Sequence, residues 1–145
     1  LSIISTFISS LCNCTNLIIN IKKIIETKKA PIPIGSYSQA VLTGNTLYTS
    51  GQIAMDPKNG KLVLENIQSE TLQVMKNIQE VLEEADMSFE HVVKTSIFIT
   101  NMEDFAEINS IYEKYFQTNF PARETIEVAR LPKDVHIEIS MVAEK

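Results

Sequence analysis

Between residues 66 and 85 apolar residues recur at helical spacing: Ile67, Val74, Met75, Ile78, Val81, Leu82 and Ala85 form one stripe. Lys76, Gln79, Glu80, Glu83 and Glu84 fall mostly opposite it, so the segment is predicted to be an amphipathic helix. A second helix is predicted over 103–117. Asn101 is its N-cap, Glu103 and Asp104 occupy its first turn, and Phe105, Ile108, Ile111, Tyr112, Tyr115 and Phe116 mark its buried side. VVKTSIFI (92–99) is a β-branched run that reads as a buried strand. NTLYTSGQIA (45–54) reads as a strand ending at Ser50-Gly51, and the turn signals Asp56-Pro57 and Asn59-Gly60 follow it. Residues 124–129 and 135–143 alternate and flank Arg130-Leu131-Pro132-Lys133-Asp134, which reads as a hairpin. With a short strand over 37–43, the pattern predicts an α+β sandwich: one sheet with two helices on one face.

The expected hairpin raises a chemical question. Period two places Ile126 and Val128 on one side, and Arg123, Thr125 and Glu127 on the other. In the second arm Val135, Ile137, Ile139 and Met141 alternate with His136, Glu138 and Ser140. A turn centred after Leu131 pairs Ile126 with Ile137, Thr125 with Glu138, Glu127 with His136 and Arg123 with Ser140. Arg123 and Glu138 then share a face as diagonal neighbours. Pattern alone leaves two readings open. One is a solvated face whose ion pairs contribute under about 1 kcal/mol each. The other is a face packed on another subunit, where an Arg fork binds a carboxylate and a second carboxylate holds a water. Backbone N–H groups at Ser50-Gly51 would add donors there.

Composition narrows the choices. The 145 residues suit one domain, and 13 basic against 18 acidic residues leave a net charge of −5, unsuited to a generic nucleic-acid binder. The only cysteines are Cys12 and Cys14, so no thiolate nucleophile or thiolate metal site is expected in the main domain. His91 and His136 are too few for a metal cluster, and each reads as an exposed or hydrogen-bonded histidine. There is no phosphate loop, GxGxxG fingerprint or HExxH pair. Residues 1–20 carry no charge and their apolar runs are broken by Ser, Asn and Thr, too polar for a membrane span. They read as an extension or a targeting leader ahead of a domain over 21–145. The expected location is the cytoplasm, or a mitochondrion or plastid if they are a leader.

IGSYSQAV (34–41), LYTSGQIAMDPKNGKLV (47–63), VVKTSIFITNMEDFAEINSIYEKYF (92–116) and FPARETIEVARLPKDVHIEI (120–139) together resemble the Rid family, also called the L-PSP endoribonuclease family, and within it the RidA subgroup. The resemblance implies a chorismate-mutase-like single domain with an about six-stranded mixed sheet, assembled as a homotrimer with ligand clefts between subunits. It implies hydrolysis of 2-imino acids, such as 2-iminobutanoate and 2-iminopropanoate, to 2-oxo acids and ammonia, without cofactor or metal. By position, Arg123 matches the carboxylate-binding arginine and Glu138 the acid that orients or activates water. Tyr37 and the Ser50-Gly51 backbone match other parts of the cleft, and Phe105 and Asn109 match positions lining it from the neighbouring subunit. Thr125 stands where many bacterial members have Cys, and Ser36 where a proline is common. Two other activities travel with the resemblance: single-strand RNA cleavage with translation inhibition, and a non-enzymatic, chaperone-like trimer. The acidic charge and the lack of a basic, aromatic stripe argue against tight RNA binding. Arg130 reads as structural or interfacial.

Overall fold

Buried positions alternate with more exposed ones along Ile137–Glu144 and, past an irregularity at Val92/Lys94, along Val92–Ile99, the signature of strands with one covered face. As β4 (Val92–Ile99) and β6 (Ile137–Glu144) they pair antiparallel at the centre of a six-stranded sheet. β1 is Lys23–Ile25, β2 Ala40–Thr43, β3 Thr46–Thr49 and β5 Ala122–Glu127, and the order across the sheet is β1-β2-β3-β6-β4-β5. This computed structural model describes residues 22–145, so the expected leader lies outside the described residues. β2 and β3 form a hairpin closed by Gly44-Asn45, with Gly44 at φ 58, the left-handed conformation such two-residue turns require.

The first predicted helix is α1, Ile67–Glu84, within a residue of its expected limits. The Asn66 side chain accepts from Ser69 N at 2.8 Å, satisfying one orphan donor of the first turn. At the other end Asp86 adopts φ 54, and the Asp86 and Met87 N–H groups return to the Glu83 and Leu82 carbonyls at 2.9 Å each. The second helix is shorter than expected. Its α-helical part, α2, is Phe105–Tyr112, flanked by 3-10 turns at Met102–Asp104 and Glu113–Tyr115. Asn101 caps it as expected, accepting from Glu103 N at 3.1 Å. Ile108, Tyr112 and Phe116 are buried, but Phe105 is exposed.

Both helices cover one face of the sheet. Val74, Ile78 and Leu82 of α1 join Leu47, Ile97, Ile99, Ile137 and Ile139 in a single core. Each such side chain contributes about 1.5–3 kcal/mol by leaving water. The opposite face is open and carries the exposed apolar side chains Ile24, Tyr48 and Ile126.

The expected hairpin does not form. β5 lies parallel to β4 on one edge, β6 antiparallel to β4 on the other, and β4 separates the two arms. The reason is topological. Leaving β4 through α2 makes a long crossover, and a crossover returns the chain parallel to the strand it left. Arg123 therefore pairs with Thr95, Thr125 with Ile97, Glu138 with Phe98 and Ser140 with Ser96. The expected facing of β5 is also inverted: Ile126 points to the open face beside Phe98, and Arg123, Thr125 and Glu127 point to the helices. β5 is an edge strand where the helical layer runs out, so polar groups there find polar partners. Glu127 accepts from Met102 N at 2.7 Å, not from His136.

Candidate active site

Arg123 lies between strand and helix. One guanidinium nitrogen donates to Asn109 Oδ1 at 2.8 Å. Its central carbon sits 5.5 Å from the Phe105 ring centre and 5.0 Å from that of Tyr112. Phe105, Asn109 and Tyr112 follow the i, i+4, i+7 spacing, so one face of α2 holds the arginine from three points. Each ring contact contributes about 0.5–1 kcal/mol at such an exposed site. Tyr112 is fixed in turn, its hydroxyl donating to Thr95 Oγ1 at 3.1 Å. Burial pushes its pKa up, opposed by that hydrogen bond and by the Arg123 charge. A cavity of about 380 Å³ opens here, lined by Asn109, Tyr112, Glu113, Phe120, Pro121 and Arg123. Among the described residues no carboxylate forms an ion pair with Arg123. A positioned cation without an anion is a receptor for one.

Glu138 occupies the other face. It alternates with Ile137 and Ile139, both fully buried on the helix side, and so faces the open side near Gly51. A Cβ on Gly51 would lie 1.7 Å from Glu138 Oε1 and 2.6 Å from Cδ, so the carboxylate occupies the room that a side chain at 51 would need. Partial burial raises the Glu138 pKa above the usual carboxylate range. The surrounding lip is built by backbone. Ser50 N donates to Gln39 O at 2.9 Å, and Gln52 and Ile139 exchange both backbone hydrogen bonds, at 2.8 and 3.1 Å. The Gln39 side chain is buried and reaches the Thr27, Ala30 and Pro31 carbonyls at 2.9, 3.2 and 2.9 Å, fixing the segment before Tyr37. Tyr37, Ser50, Gly51 and Glu138 line a cavity of about 350 Å³ with Ile34 and Lys133. Ser50 N–H is committed to Gln39, and among the described residues nothing accepts from Gly51 N–H.

The expected site residues thus fall into two groups. Phe105, Asn109 and Arg123 meet on the helix-covered side of β5, and Tyr37, Ser50, Gly51 and Glu138 meet on the open side at the start of β6. The sheet lies between them, so the expected placing of Arg123 and Glu138 on one face is wrong within a protomer. Thr125, two residues beyond Arg123, lines neither cavity, and its hydroxyl is buried without a hydrogen-bond partner. Two contributors were missed. In the sequence Tyr112 reads only as core, although its i+3 relation to Asn109 puts it in reach of the same cation. Glu70 is buried against the start of β6, and it falls on the apolar stripe of α1 three residues before a glutamine and four before Val74. An acid in phase with such a stripe was the signal. Among the described residues no three His, Cys, Asp or Glu side chains cluster as a metal set. His91 accepts from Ser88 N at 3.0 Å and His136 Nδ1 lies 2.9 Å from Glu70, so both histidines are engaged locally. Arg130 pairs with Asp134 at 2.6 Å on the surface.

Residues 27–145 match the family model described as Endoribonuclease L-PSP. The chain belongs to this family, the Rid family. It is 49% identical over 123 residues to the 2-iminobutanoate/2-iminopropanoate deaminase of Rattus norvegicus, covering 85% of this chain and 90% of that one. A RutC family protein of Saccharolobus solfataricus is 48% identical over 124 residues, covering 86% and 98%. Among solved structures, a Rid-family protein of unknown function from Yersinia pestis superposes with a TM-score of 0.84 at 47% identity, covering 86% of this chain and all of that one. E. coli TdcF with bound serine superposes with a TM-score of 0.82 at 39% identity, covering 85% and 98%. This Rid chain therefore has the Rid fold from β1 to β6. No helix among its described residues is long and apolar enough to cross a membrane.

Proposed function

We propose that this Rid protein hydrolyses reactive 2-imino acids, with 2-iminobutanoate and 2-iminopropanoate as the substrate class, in a cleft shared by neighbouring subunits of a homotrimer. One observation carries the reading. The free cation and the half-buried carboxylate lie on opposite faces of one sheet, yet each lines a cavity of small-molecule size. A second copy whose β5 edge meets the open face of the first would join its arginine half to the first copy's glutamate half. Exposed Ile24, Tyr48 and Ile126 are the kind of surface such packing covers. Identity to named deaminases and a serine-bound relative support a ligand with an α-carboxylate.

In this reading Arg123, held by Asn109, Phe105 and Tyr112, binds the substrate carboxylate through two parallel hydrogen bonds. Tyr37 and the Ile34 lip shield the side chain. Glu138 of the adjacent subunit takes a proton from water as its oxygen attacks the imine carbon. The imine nitrogen, protonated as an iminium, becomes the neutral amine of a carbinolamine. Glu138 passes its proton to that amine, the carbinol hydroxyl gives its own proton back to Glu138 as its oxygen becomes the carbonyl, the C–N bond breaks, and ammonia leaves a 2-oxo acid. A carboxylate whose pKa is raised is the stronger base toward water and holds the proton until the amine takes it.

Imine turnover is measured by coupling to a pyridoxal-phosphate dehydratase that releases 2-iminobutanoate. Arg123→Ala is expected to lower kcat/KM about a thousandfold while folding normally, since a desolvated charge pair costs about 2–5 kcal/mol to break. Arg123→Ala and Glu138→Gln subunits, unfolded together and refolded at equal amounts, should recover about one quarter of wild-type activity, because each cleft draws its two groups from different chains. No recovery would overturn the shared cleft, and full activity in Arg123→Ala would overturn the reaction.

A further inference from the structure

Glu70 is 1% exposed, a carboxylate placed inside the protein on the first turns of α1. It is spent entirely on the start of β6. One oxygen accepts from the backbone N–H of His136 at 2.7 Å and of Ile137 at 3.3 Å, and the other lies 2.9 Å from His136 Nδ1. The ladder explains the bond from Ile137; His136 precedes β6. In an antiparallel strand every second residue directs its N–H to the same edge. Ile139 donates to Gln52 at 3.1 Å on the β3 side, so Ile137 also donates to that side. β3 ends at Thr49 and its pairing with β6 covers only Val142 to Glu144, so beyond Gln52 that edge has no strand. The Glu70 carboxylate stands where the missing neighbour would be. On the opposite edge β4 completes the frame, with Thr100 N donating to His136 O at 3.1 Å.

What enters this frame is strained and what leaves it is reactive. Lys133 and Asp134, just upstream, both hold left-handed backbone, at φ 57 and 56. Lys133 lines the Glu138 cavity, and Glu138 follows Ile137 directly. We propose that Glu70 is a positioning residue: by replacing a strand neighbour it sets where the Glu138 carboxylate sits against Gly51. The inference rests on Glu138 being the group that activates water.

The test compares Glu70→Ala with Glu70→Gln, whose amide oxygen still accepts both N–H groups. Glu70→Ala is expected to lower kcat about tenfold, the effect of a small misplacement of a reacting group. KM, set by Arg123, should stay within about twofold, and Glu70→Gln should restore kcat to within about twofold. A second readout needs no turnover. In a carbon-13 titration, with the Glu138 signal assigned by its loss in Glu138→Gln, Glu70→Ala should move Glu138 down toward the ordinary carboxylate range as water enters. Glu70→Gln should leave it in place. Wild-type kcat and wild-type titration in folded Glu70→Ala would overturn the proposal. If wild type turns over no imine, the proposed reaction falls and the titration still decides Glu70. If Glu70→Ala does not fold, Glu70→Asp, one methylene shorter in reach, takes its place against Glu70→Gln.

Discussion

The two halves of the site are built in different ways. The arginine half is made of side chains on consecutive elements: Asn109 and Arg123 are 14 residues apart, and one helix face supplies both rings. The glutamate half is made of backbone from distant segments. Gly51 gives way to Glu138, and Glu70 reaches 66 residues along the chain to His136. A side-chain clamp can lose one arm and keep the others. A backbone frame fixes a carboxylate through ladder geometry, which tolerates little displacement. In the proposed reaction local construction would supply redundancy for binding, and long-range construction would supply position for chemistry.

This contrast can be broken. Gly51→Ala is expected to lower kcat about a hundredfold, because the new Cβ must displace the carboxylate. Asn109→Ala should raise KM about tenfold and spare kcat, since the two rings still hold the guanidinium. Steady-state kinetics on both variants decides the matter; a larger kcat loss in Asn109→Ala would reverse the assignment. Tyr112→Phe keeps the ring under Arg123 but leaves Thr95 Oγ1 without its donor. Stability should fall by about 1 kcal/mol in a denaturant melt with activity nearly unchanged.

A smaller effect concerns pH. Burial raises the Glu138 pKa, so the fold favours the protonated carboxyl. Its contribution to stability is present in acid and is lost as pH rises through the folded-state pKa. Glu138→Gln should therefore melt slightly higher than wild type at neutral pH, and the difference should vanish in acid. In wild type the acid limb of kcat/KM should lie above the usual carboxylate range, because the base must be ionised. A limb at the ordinary carboxylate position would separate Glu138 from the rate.

Much of the fold was legible because period and caps are local signals. Asn101 capped the second helix as read, and the stripe from Ile67 to Ala85 marked α1 almost to the residue. The pairing of β5 with β6 was misread because alternation orders the faces within a strand but says nothing of its neighbours. The segment Arg130–Asp134 looks like a hairpin turn, yet β4 stands between the strands it joins. That error and the inverted facing of β5 together put Arg123 and Glu138 on one face of a protomer. The family resemblance named residues in both groups but could not repair their geometry. Glu70 and Tyr112 were hidden for a related reason: their importance lies in what they touch across the chain, and that is settled only when α1 meets β6 and α2 meets β5.

The separation of Arg123 from Glu138 by the sheet has a genetic reading. If each cleft borrows one group from either side, an allele lacking the arginine spoils only the clefts to which its product lends that group. In a cell carrying it beside a normal copy, activity should fall in proportion to dose, without poisoning whole assemblies. Two alleles defective in different halves, each inert when alone, should partly rescue one another. The heritable unit of function would then be the set of chains that meet, and one gene's lesion could be masked by another lesion in the same gene.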